Sequence, residues 1–174
     1  MLRQEKRSFV VSVSGSRFHF LVPLLSLAAM AAIADQMTKL WALSALREGV
    51  AVSFGPFLSL TLGFNTGASF GIFGGGESTH IILVAVSAVV TTLVIWYAAR
   101  APELERPGLS LIVGGATGNL IDRYVRGKVT DFIDLHAGDW HWPAFNLADI
   151  SITLGVIWII AMNSRPARAR PAGD

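Results

Sequence analysis

Long apolar stretches, separated by short polar segments, dominate the chain. Because a helix needs about 20 mostly apolar residues to cross a bilayer, the pattern predicts four membrane-spanning helices. The stretch from His80 to Ala99 is the most uniformly apolar, whereas the stretch from Phe18 to Leu43 is interrupted by Asp35 and Lys39. We place the four spans approximately at residues 18–43, 79–100, 104–122 and 146–163.

A short strand is predicted between the first two helices, because residues Leu58 to Leu62 alternate between apolar and polar side chains. The residues after it, including Asn65, Gly67 and Ala68, favour a turn and close backbone approach. Such a strand and turn could hold an extended peptide through main-chain hydrogen bonds. We therefore expect an all-α membrane protein with a small extracytoplasmic β-sheet or flap, formed by about residues 44–73, between helices 1 and 2.

Composition agrees with one integral membrane domain. Of the 174 residues, 52% are hydrophobic and 15% are charged, which is apolar for a soluble domain. We assign residues 1–163 to this domain and residues 164–174, rich in Arg and Pro, to a disordered cytoplasmic tail. The net charge of +2 gives no reason to expect nucleic-acid binding. The absence of cysteine excludes disulfides and thiolate chemistry, and the four histidines lack metal-ligand spacing, so we expect no metal or other cofactor.

Basic residues predict the orientation in the membrane. Lys and Arg precede the first span, lie between the second and third, and follow the fourth, so both termini are expected in the cytoplasm. Segments 44–79 and 122–146 then face outward. A competing interpretation is a signal peptide cleaved after Ala34, which would leave three spans. We favour an uncleaved helix because Leu40 to Leu43 continues the apolar run beyond that point.

Two aspartates near the outer ends of the last two spans are the main candidates for chemistry. Carboxylates at membrane depth are costly and usually functional, which directs attention to Asp131 and Asp149. Two carboxylates brought together can share a proton and activate a water molecule, which indicates hydrolysis at a membrane surface. Asp134 and Asp139 are nearby alternatives to Asp131, and spacing alone does not choose among them.

Other polar residues have structural as well as functional interpretations. Asp35 and Lys39 share one helical face; we favour an interfacial ion pair with a snorkelling lysine over an electrostatic element facing the site. Asn119 and Asp122 also share a helical face, and Arg123 could pair with Asp122 or with a lipid phosphate.

The start of the fourth helix carries a capping signal. Asn146 and Asp149 have the spacing of a capping box, and a helix N-terminus favours an ionised carboxylate. We therefore hypothesise that Asp149 is the ionised partner and that Asp131 more often carries the proton. The nearby aromatics Trp140, Trp142 and Phe145 are typical of a membrane interface.

Five stretches occur together in an order that resembles the lipoprotein signal peptidases, also called type II signal peptidases. The resemblance covers residues 18–163, and Ser69 stands where many members have a second alanine. The matching stretches are Asp35 to Lys39, Asn65 to Gly71, Gly114 to Arg123, Gly127 to Asp134 and Trp142 to Asp149.

The resemblance implies a bacterial inner-membrane aspartyl endopeptidase with its active site toward the periplasmic face. Such enzymes remove the signal peptide from diacylglyceryl-modified prolipoproteins, cutting just before the lipid-modified cysteine, and are targets of globomycin. The implied partners are lipid-modified prolipoproteins, membrane lipids and globomycin-type inhibitors. The implied catalytic pair is Asp131 and Asp149. The implied supporting residues are Asp35, Lys39, Asn65, Gly67, Ala68, Asn119, Asp122, Arg123, Asn146 and Ala148.

Two other classes of function compete with hydrolysis. A small polytopic transporter or proton-relay protein would place acidic residues across the membrane depth, whereas here they collect at the outer ends and the second span has none. A non-catalytic assembly protein would use small-residue faces for helix packing, but it gives no reason for polar residues to converge on one side.

Overall fold

The computed structural model describes residues 16–66 and 77–164 of the chain. The predicted tail therefore lies, apart from Ser164, outside the described residues. A 3-10 turn at Glu103–Glu105 leads into the third helix. The helices and strands of the described part are α1 (Ser16–Ala45), β1 (Val52–Ser53), β2 (Leu58–Asn65), α2 (Glu77–Ala98), α3 (Arg106–Arg126), β3 (Val129–Ala137), β4 (Trp140–His141) and α4 (Leu147–Asn163).

The helices coincide closely with the predicted spans. α1 runs without a break through Ala34, the alternative cleavage point. Among the four helices, α3 departs most from its predicted span, because it continues to Arg126 instead of ending near residue 122. It ends at Gly127, whose φ of 74° lies in the left-handed region and whose N–H bonds to the carbonyl of Arg123 at 3.1 Å. Asp122 and Arg123 are therefore fixed by helical backbone.

The helices expose apolar side chains and bury polar ones. Buried positions on α1 recur every three or four residues, and both Asp35 and Lys39 are among them. Met30, Ile33 and Met37, on the other side of α1, are 59–66% exposed. Polar residues within membrane helices normally face the bundle interior, and α1 has the same distribution.

Glycines allow the helices of the bundle to pack closely. A Cβ atom added to Gly114 on α3 would lie 2.6 Å from the carbonyl oxygen of Ala28 on α1. A Cβ atom added to Gly108 would lie 2.7 Å from the carbonyl oxygen of Gly155 on α4. Small residues at such positions are typical of helix association in lipid, where van der Waals contact replaces the hydrophobic effect.

A four-stranded antiparallel sheet, in the order β1-β2-β3-β4, lies beside the helices. The predicted strand at residues 58–62 is confirmed as part of β2. The predicted sheet between helices 1 and 2 is confirmed in part: β1 and β2 come from that connection, whereas β3 and β4 come from the connection between α3 and α4. By itself, a two-stranded ribbon of β1 and β2 would be only marginally stable. β3, which is longer than β1, also pairs with β2.

Length and composition alone identify one helix in the described residues as long and apolar enough to cross a membrane, His80–Ala98. The apolar helix Leu147–Asn163 is shorter. The structure thus combines a mostly helical architecture with a small antiparallel sheet.

We predict that Gly114→Val destabilises the bundle, because the added atoms would collide with the backbone of α1. Overpacking of this kind costs about 1–3 kcal/mol. Thermal melting in detergent would measure it, with Ala29→Val, on the exposed side of α1, as the control. Equal melting temperatures for the two variants would contradict the close α1–α3 contact.

Candidate active site

A fully buried lysine lies at the centre of the bundle's polar interior. The Lys39 ammonium group is 2.9 Å from an Asp35 oxygen, 3.6 Å from an Asp122 oxygen and 2.9 Å from Asn119 Oδ1. Lys39, Asp35 and Asp122 all have side chains that are 0% exposed. The favoured interpretation of Asp35 and Lys39 as an interfacial pair is therefore wrong. Because burial of an unpaired ion costs several kcal/mol, these charges must stay together.

Asp122 fixes the end of α3 to the first residues of β3. One of its oxygens accepts a hydrogen bond from the backbone N–H of Thr130 at 2.8 Å. The other is bonded by the guanidinium of Arg126, so the close ion pair to Asp122 comes from Arg126 and not from Arg123. These contacts determine where β3 leaves the helix bundle, and with it the position of Asp131.

Asp35 connects α1 to the start of α4. One of its carboxylate oxygens accepts the backbone N–H of Ala148 at 2.9 Å. Ala148 is itself fully buried. The supporting role predicted for Ala148 therefore involves its backbone, since its N–H holds the first turn of α4 against α1.

Asp131 and Asp149 are brought together because β3 pairs with Phe145, the residue that precedes the N-cap of α4. Phe145 and Ile133 exchange backbone hydrogen bonds of 3.0 and 2.9 Å. This pairing places Asn146 beside Asp131, and Asn146 Nδ2 donates to Asp131 Oδ1 at 2.6 Å. A second contact, from Asn146 Nδ2 to Asn119 Oδ1, measures 3.3 Å.

The predicted capping box at the start of α4 is confirmed. The Asn146 side chain accepts the backbone N–H of Asp149 at 3.1 Å, and the backbone N–H of Asn146 donates to Asp149 Oδ2 at 3.2 Å. Asn119 Nδ2 donates to the other oxygen, Asp149 Oδ1, at 2.9 Å. Both oxygens of Asp149 thus accept hydrogen bonds, and its carboxylate lies in the first turn of α4.

The environment of Asp131 favours its protonated form. Burial raises the pKa of its carboxyl group to about 6, the hydrogen bond from Asn146 opposes that shift, and the negative charge of Asp149 adds to it. Lys39 and Asn65 also oppose the shift. The direction agrees with the hypothesis that Asp131 more often carries the proton of the pair.

Arg123 supplies positive charge close to both carboxylates. It interacts electrostatically with Asp149, Asp131 and Asp122, in that order of strength. Its guanidinium donates to the carbonyl oxygen of Asn119 at 3.4 Å, and its own carbonyl oxygen contacts His80 Nε2 at 2.7 Å. Arg123 is therefore anchored in α3 next to the aspartate pair.

The remaining residues implied by the resemblance divide into two groups. Asn65, at the end of β2, pairs with Val129 in the sheet and hydrogen-bonds Asp131 through its side chain. Gly67 and Ala68 lie outside the described residues.

Sequence reasoning missed two residues that complete the site. Gln36 Nε2 contacts Asp35, the carbonyl oxygen of Gly118 and Asp122 at 3.0–3.3 Å. Arg126 Nη1 bonds Gln36 Oε1 at 3.2 Å in addition to Asp122. Gln36 precedes Lys39 by three residues and Arg126 follows Asp122 by four, so both spacings carried the signal of a shared helical face.

Comparison with known proteins gives consistent relatives. A family model described as signal peptidase (SPase) II matches residues 27–164. A protein named lipoprotein signal peptidase from Burkholderia mallei (strain SAVP1) is 40% identical over 154 residues, covering 85% of this chain and 91% of that protein. The protein of the same name from Anaplasma phagocytophilum (strain HZ) is 42% identical over 132 residues, covering 75% of this chain and 85% of that protein.

Solved structures show the same architecture. A bacterial membrane enzyme determined by the in meso method at 1.9 Å superposes with a TM-score of 0.75 and 30% identity, covering 85% of this chain and 96% of that chain. A second such enzyme, at 2.3 Å, gives a TM-score of 0.71 and 28% identity, covering 87% and 96%.

We predict that Lys39→Met lowers the free energy of unfolding by about 3–5 kcal/mol, because it leaves two buried carboxylates without their shared cation. The double variant Lys39→Met/Asp35→Asn should recover part of the loss. Lys128→Met, which removes a cation over the Phe64 ring, is the matched control and should cost about 1 kcal/mol. Denaturant titration in detergent would measure all three, and equal losses for Lys39→Met and Lys128→Met would contradict the buried charge cluster.

Proposed function

The chain belongs to the signal peptidase II family, and we propose that Asp131 and Asp149 are the catalytic carboxylates of its reaction. The enzyme is an aspartic-type peptidase that removes the signal peptide from diacylglyceryl-modified prolipoproteins, cutting just before the lipid-modified cysteine. The observation that carries the assignment is the double contact of Asn146. Its side chain bonds Asp131 and its backbone N–H bonds Asp149, so one residue holds both carboxylates.

The environments of the two carboxylates give them different roles. Asp149, at a helix N-terminus with hydrogen bonds to both oxygens, is the base that takes a proton from the attacking water. Asp131, whose pKa is raised to about 6 mainly by burial, carries the proton that polarises and then protonates the scissile carbonyl oxygen. After attack, the proton on Asp149 passes to the leaving amine and the peptide bond breaks, while one hydroxyl of the tetrahedral intermediate returns its proton to Asp131 as the carboxyl product forms.

Asn119 and Asn146 orient the pair without taking part in proton transfer. Each amide donates to one aspartate, and the contact between the two amides keeps the donors aligned. Arg123 lies near enough to stabilise the negative charge that develops during attack.

We further propose that all four helices span the bacterial cell membrane, with both termini cytoplasmic and the aspartate pair at the periplasmic end. The apolar exposed faces, the basic residues at the cytoplasmic ends and the apolar lengths of α2 and α4 support this topology. Contacts of Asp35 and Lys39 with α3 and α4 support an uncleaved first helix in the single domain of residues 1–163.

Three kinds of ligand follow from this proposal. The prolipoprotein is expected to lie along β2 near Asn65, and bilayer lipids are expected to cover the exposed helix faces. Globomycin-type inhibitors are expected to compete with substrate at the aspartate pair. Gly67 and Ala68, carried over from the resemblance, are proposed to contact the peptide beyond the end of β2.

The proposed pair predicts that Asp131→Asn and Asp149→Asn each lower the cleavage rate by about 10²–10⁴-fold, the contribution typical of a general acid or base. A gel-shift assay with a diacylglyceryl-modified prolipoprotein in liposomes would measure the loss. Asp134→Asn is the matched control, because Asp134 lies on β3 but bonds His141 and not the pair. Cleavage that survives in a folded Asp131→Asn variant, or is lost in Asp134→Asn, would reassign the second carboxylate.

The pH dependence follows from the raised pKa of Asp131. Below about pH 6 the Asp131 carboxyl group is protonated and can donate its proton; above about pH 6 it is charged and the donor is lost. We expect kcat/KM to fall with rising pH from about pH 6, since this quantity reports the free enzyme. The descending limb should persist in Asp134→Asn. A profile flat to pH 8 would contradict the assignment of the acid.

A further inference from the structure

His80 ties the end of α2 nearest the aspartate pair to the last turn of α3. Its Nε2 atom lies 2.7 Å from the carbonyl oxygen of Arg123. Because a carbonyl oxygen only accepts hydrogen bonds, Nε2 carries a proton and donates it to this bond. The imidazole ring also lies against Gly127, since a Cβ atom added to that glycine would lie 3.8 Å from His80 Cδ2. The side chain therefore bridges the two helices at this end.

The carbonyl group that accepts this bond belongs to the last turn of α3, which ends at Arg126. The oxygen of Arg123 already accepts the N–H of Gly127 at 3.1 Å, and its second lone pair accepts the N–H of His80. The C-terminus of a helix carries partial negative charge, which favours an N–H donor at this position. The bond from His80 is therefore a specific contact between the two helix ends.

Two polar side chains hold the two ends of α2 in the bundle. Among the described elements, α2 packs chiefly against α3. At the end far from the aspartate pair, the hydroxyl group of Tyr97 donates to Glu105 Oε2 at 2.9 Å. His80 makes the corresponding contact at the near end, about 25 Å away along the helix axis. Loss of either bond therefore releases one end of α2 and leaves the other end attached.

The end of α2 that His80 holds forms a wall beside the Arg123 guanidinium. Val86 of α2 and Arg123 of α3 line the same cavity, which has a volume of about 270 Å³. Arg123 also interacts electrostatically with Asp149 and Asp131. A charge acts more strongly where protein walls keep water away from it. The position of α2 therefore affects how well Arg123 stabilises negative charge that develops beside the aspartate pair.

We propose that His80 is a positioning residue that acts through Arg123. By bonding the carbonyl oxygen of Arg123, it keeps α2 against α3 and keeps the Arg123 guanidinium enclosed beside the aspartate pair. This inference rests on the proposed function, in which Arg123 stabilises the charge that appears during attack. Because that charge is absent from the bound substrate, loss of the His80 bond lowers kcat and leaves KM unchanged.

Steady-state cleavage of a diacylglyceryl-modified prolipoprotein in liposomes tests the role of the His80 donor. His80→Phe keeps a ring and removes the N–H. We expect it to lower kcat about three- to tenfold, the effect of one hydrogen bond, with KM within about twofold of wild type. His80→Gln offers an amide N–H at a similar reach and should recover about half of the wild-type kcat or more. Wild-type kcat in His80→Phe, or equal losses in His80→Phe and His80→Gln, would overturn the proposal.

Tyr97→Phe is the matched control, because it removes the hydrogen bond at the other end of α2 and also keeps the ring. We expect its kcat to stay within about twofold of wild type. Equal losses of kcat in Tyr97→Phe and His80→Phe would show that both bonds act only through the stability of the bundle, against the proposal. If thermal melting shows that His80→Phe does not fold, His80→Asn replaces it. Its amide is one methylene shorter than that of Gln, so it should lose kcat in the same way, and wild-type kcat in His80→Asn would contradict the proposal.

A double-mutant cycle tests whether His80 acts through Arg123. Arg123→Gln should itself lower kcat, and adding His80→Phe to it should lower kcat by less than about twofold more, because residues that act as a unit are not additive. If His80→Phe causes its full loss in the Arg123→Gln background, His80 acts independently of Arg123 and the proposal fails. Asp131→Asn, measured in the same assay, separates this failure from failure of the proposed function, which would appear as cleavage by folded Asp131→Asn.

Discussion

Burial of the Lys39 ammonium group is the constraint on which the rest of the structure depends. An ammonium group inside a membrane bundle is tolerated only with close counter-charges. For Lys39 these are the carboxylates of Asp35, on its own helix, and Asp122, on α3. Asp35 also accepts the N–H of Ala148, and Asp122 accepts that of Thr130. One buried cation therefore fixes α1, α3, the first turn of α4 and the start of β3 relative to one another.

Two asparagines transmit this arrangement to the candidate active site. Asn119 accepts from Lys39 and donates to Asp149, while Asn146 donates to both Asn119 and Asp131. The two aspartates are thus oriented by a hydrogen-bond network that also contains the buried charges of Lys39, Asp35 and Asp122. Burial opposes charge on Asp131, whereas both oxygens of Asp149 accept hydrogen bonds, so the two aspartates lie in different environments.

Features that depend on local sequence could be predicted, whereas those that depend on distant partners could not. Apolar lengths predicted the helices, and the Asn146–Asp149 spacing predicted the capping box. The spacing of Asp35 and Lys39 is the same for a surface pair and a buried one, and only Asn119 and Asp122, some 80 residues away, decide between them. The partial alternation from Val129 to Leu135 was a usable signal for β3, but β4 has two residues and too little pattern to be recognised.

We expect the aspartate pair to hold one proton, carried by Asp131. Infrared difference spectra of the enzyme between about pH 5 and pH 8 would test it directly, through the stretching band of a protonated carboxyl group. We expect a band that titrates near pH 6, disappears in Asp131→Asn and persists in Asp134→Asn. A band that survives in Asp131→Asn but is lost in Asp149→Asn would place the proton on Asp149 and contradict its assignment to Asp131.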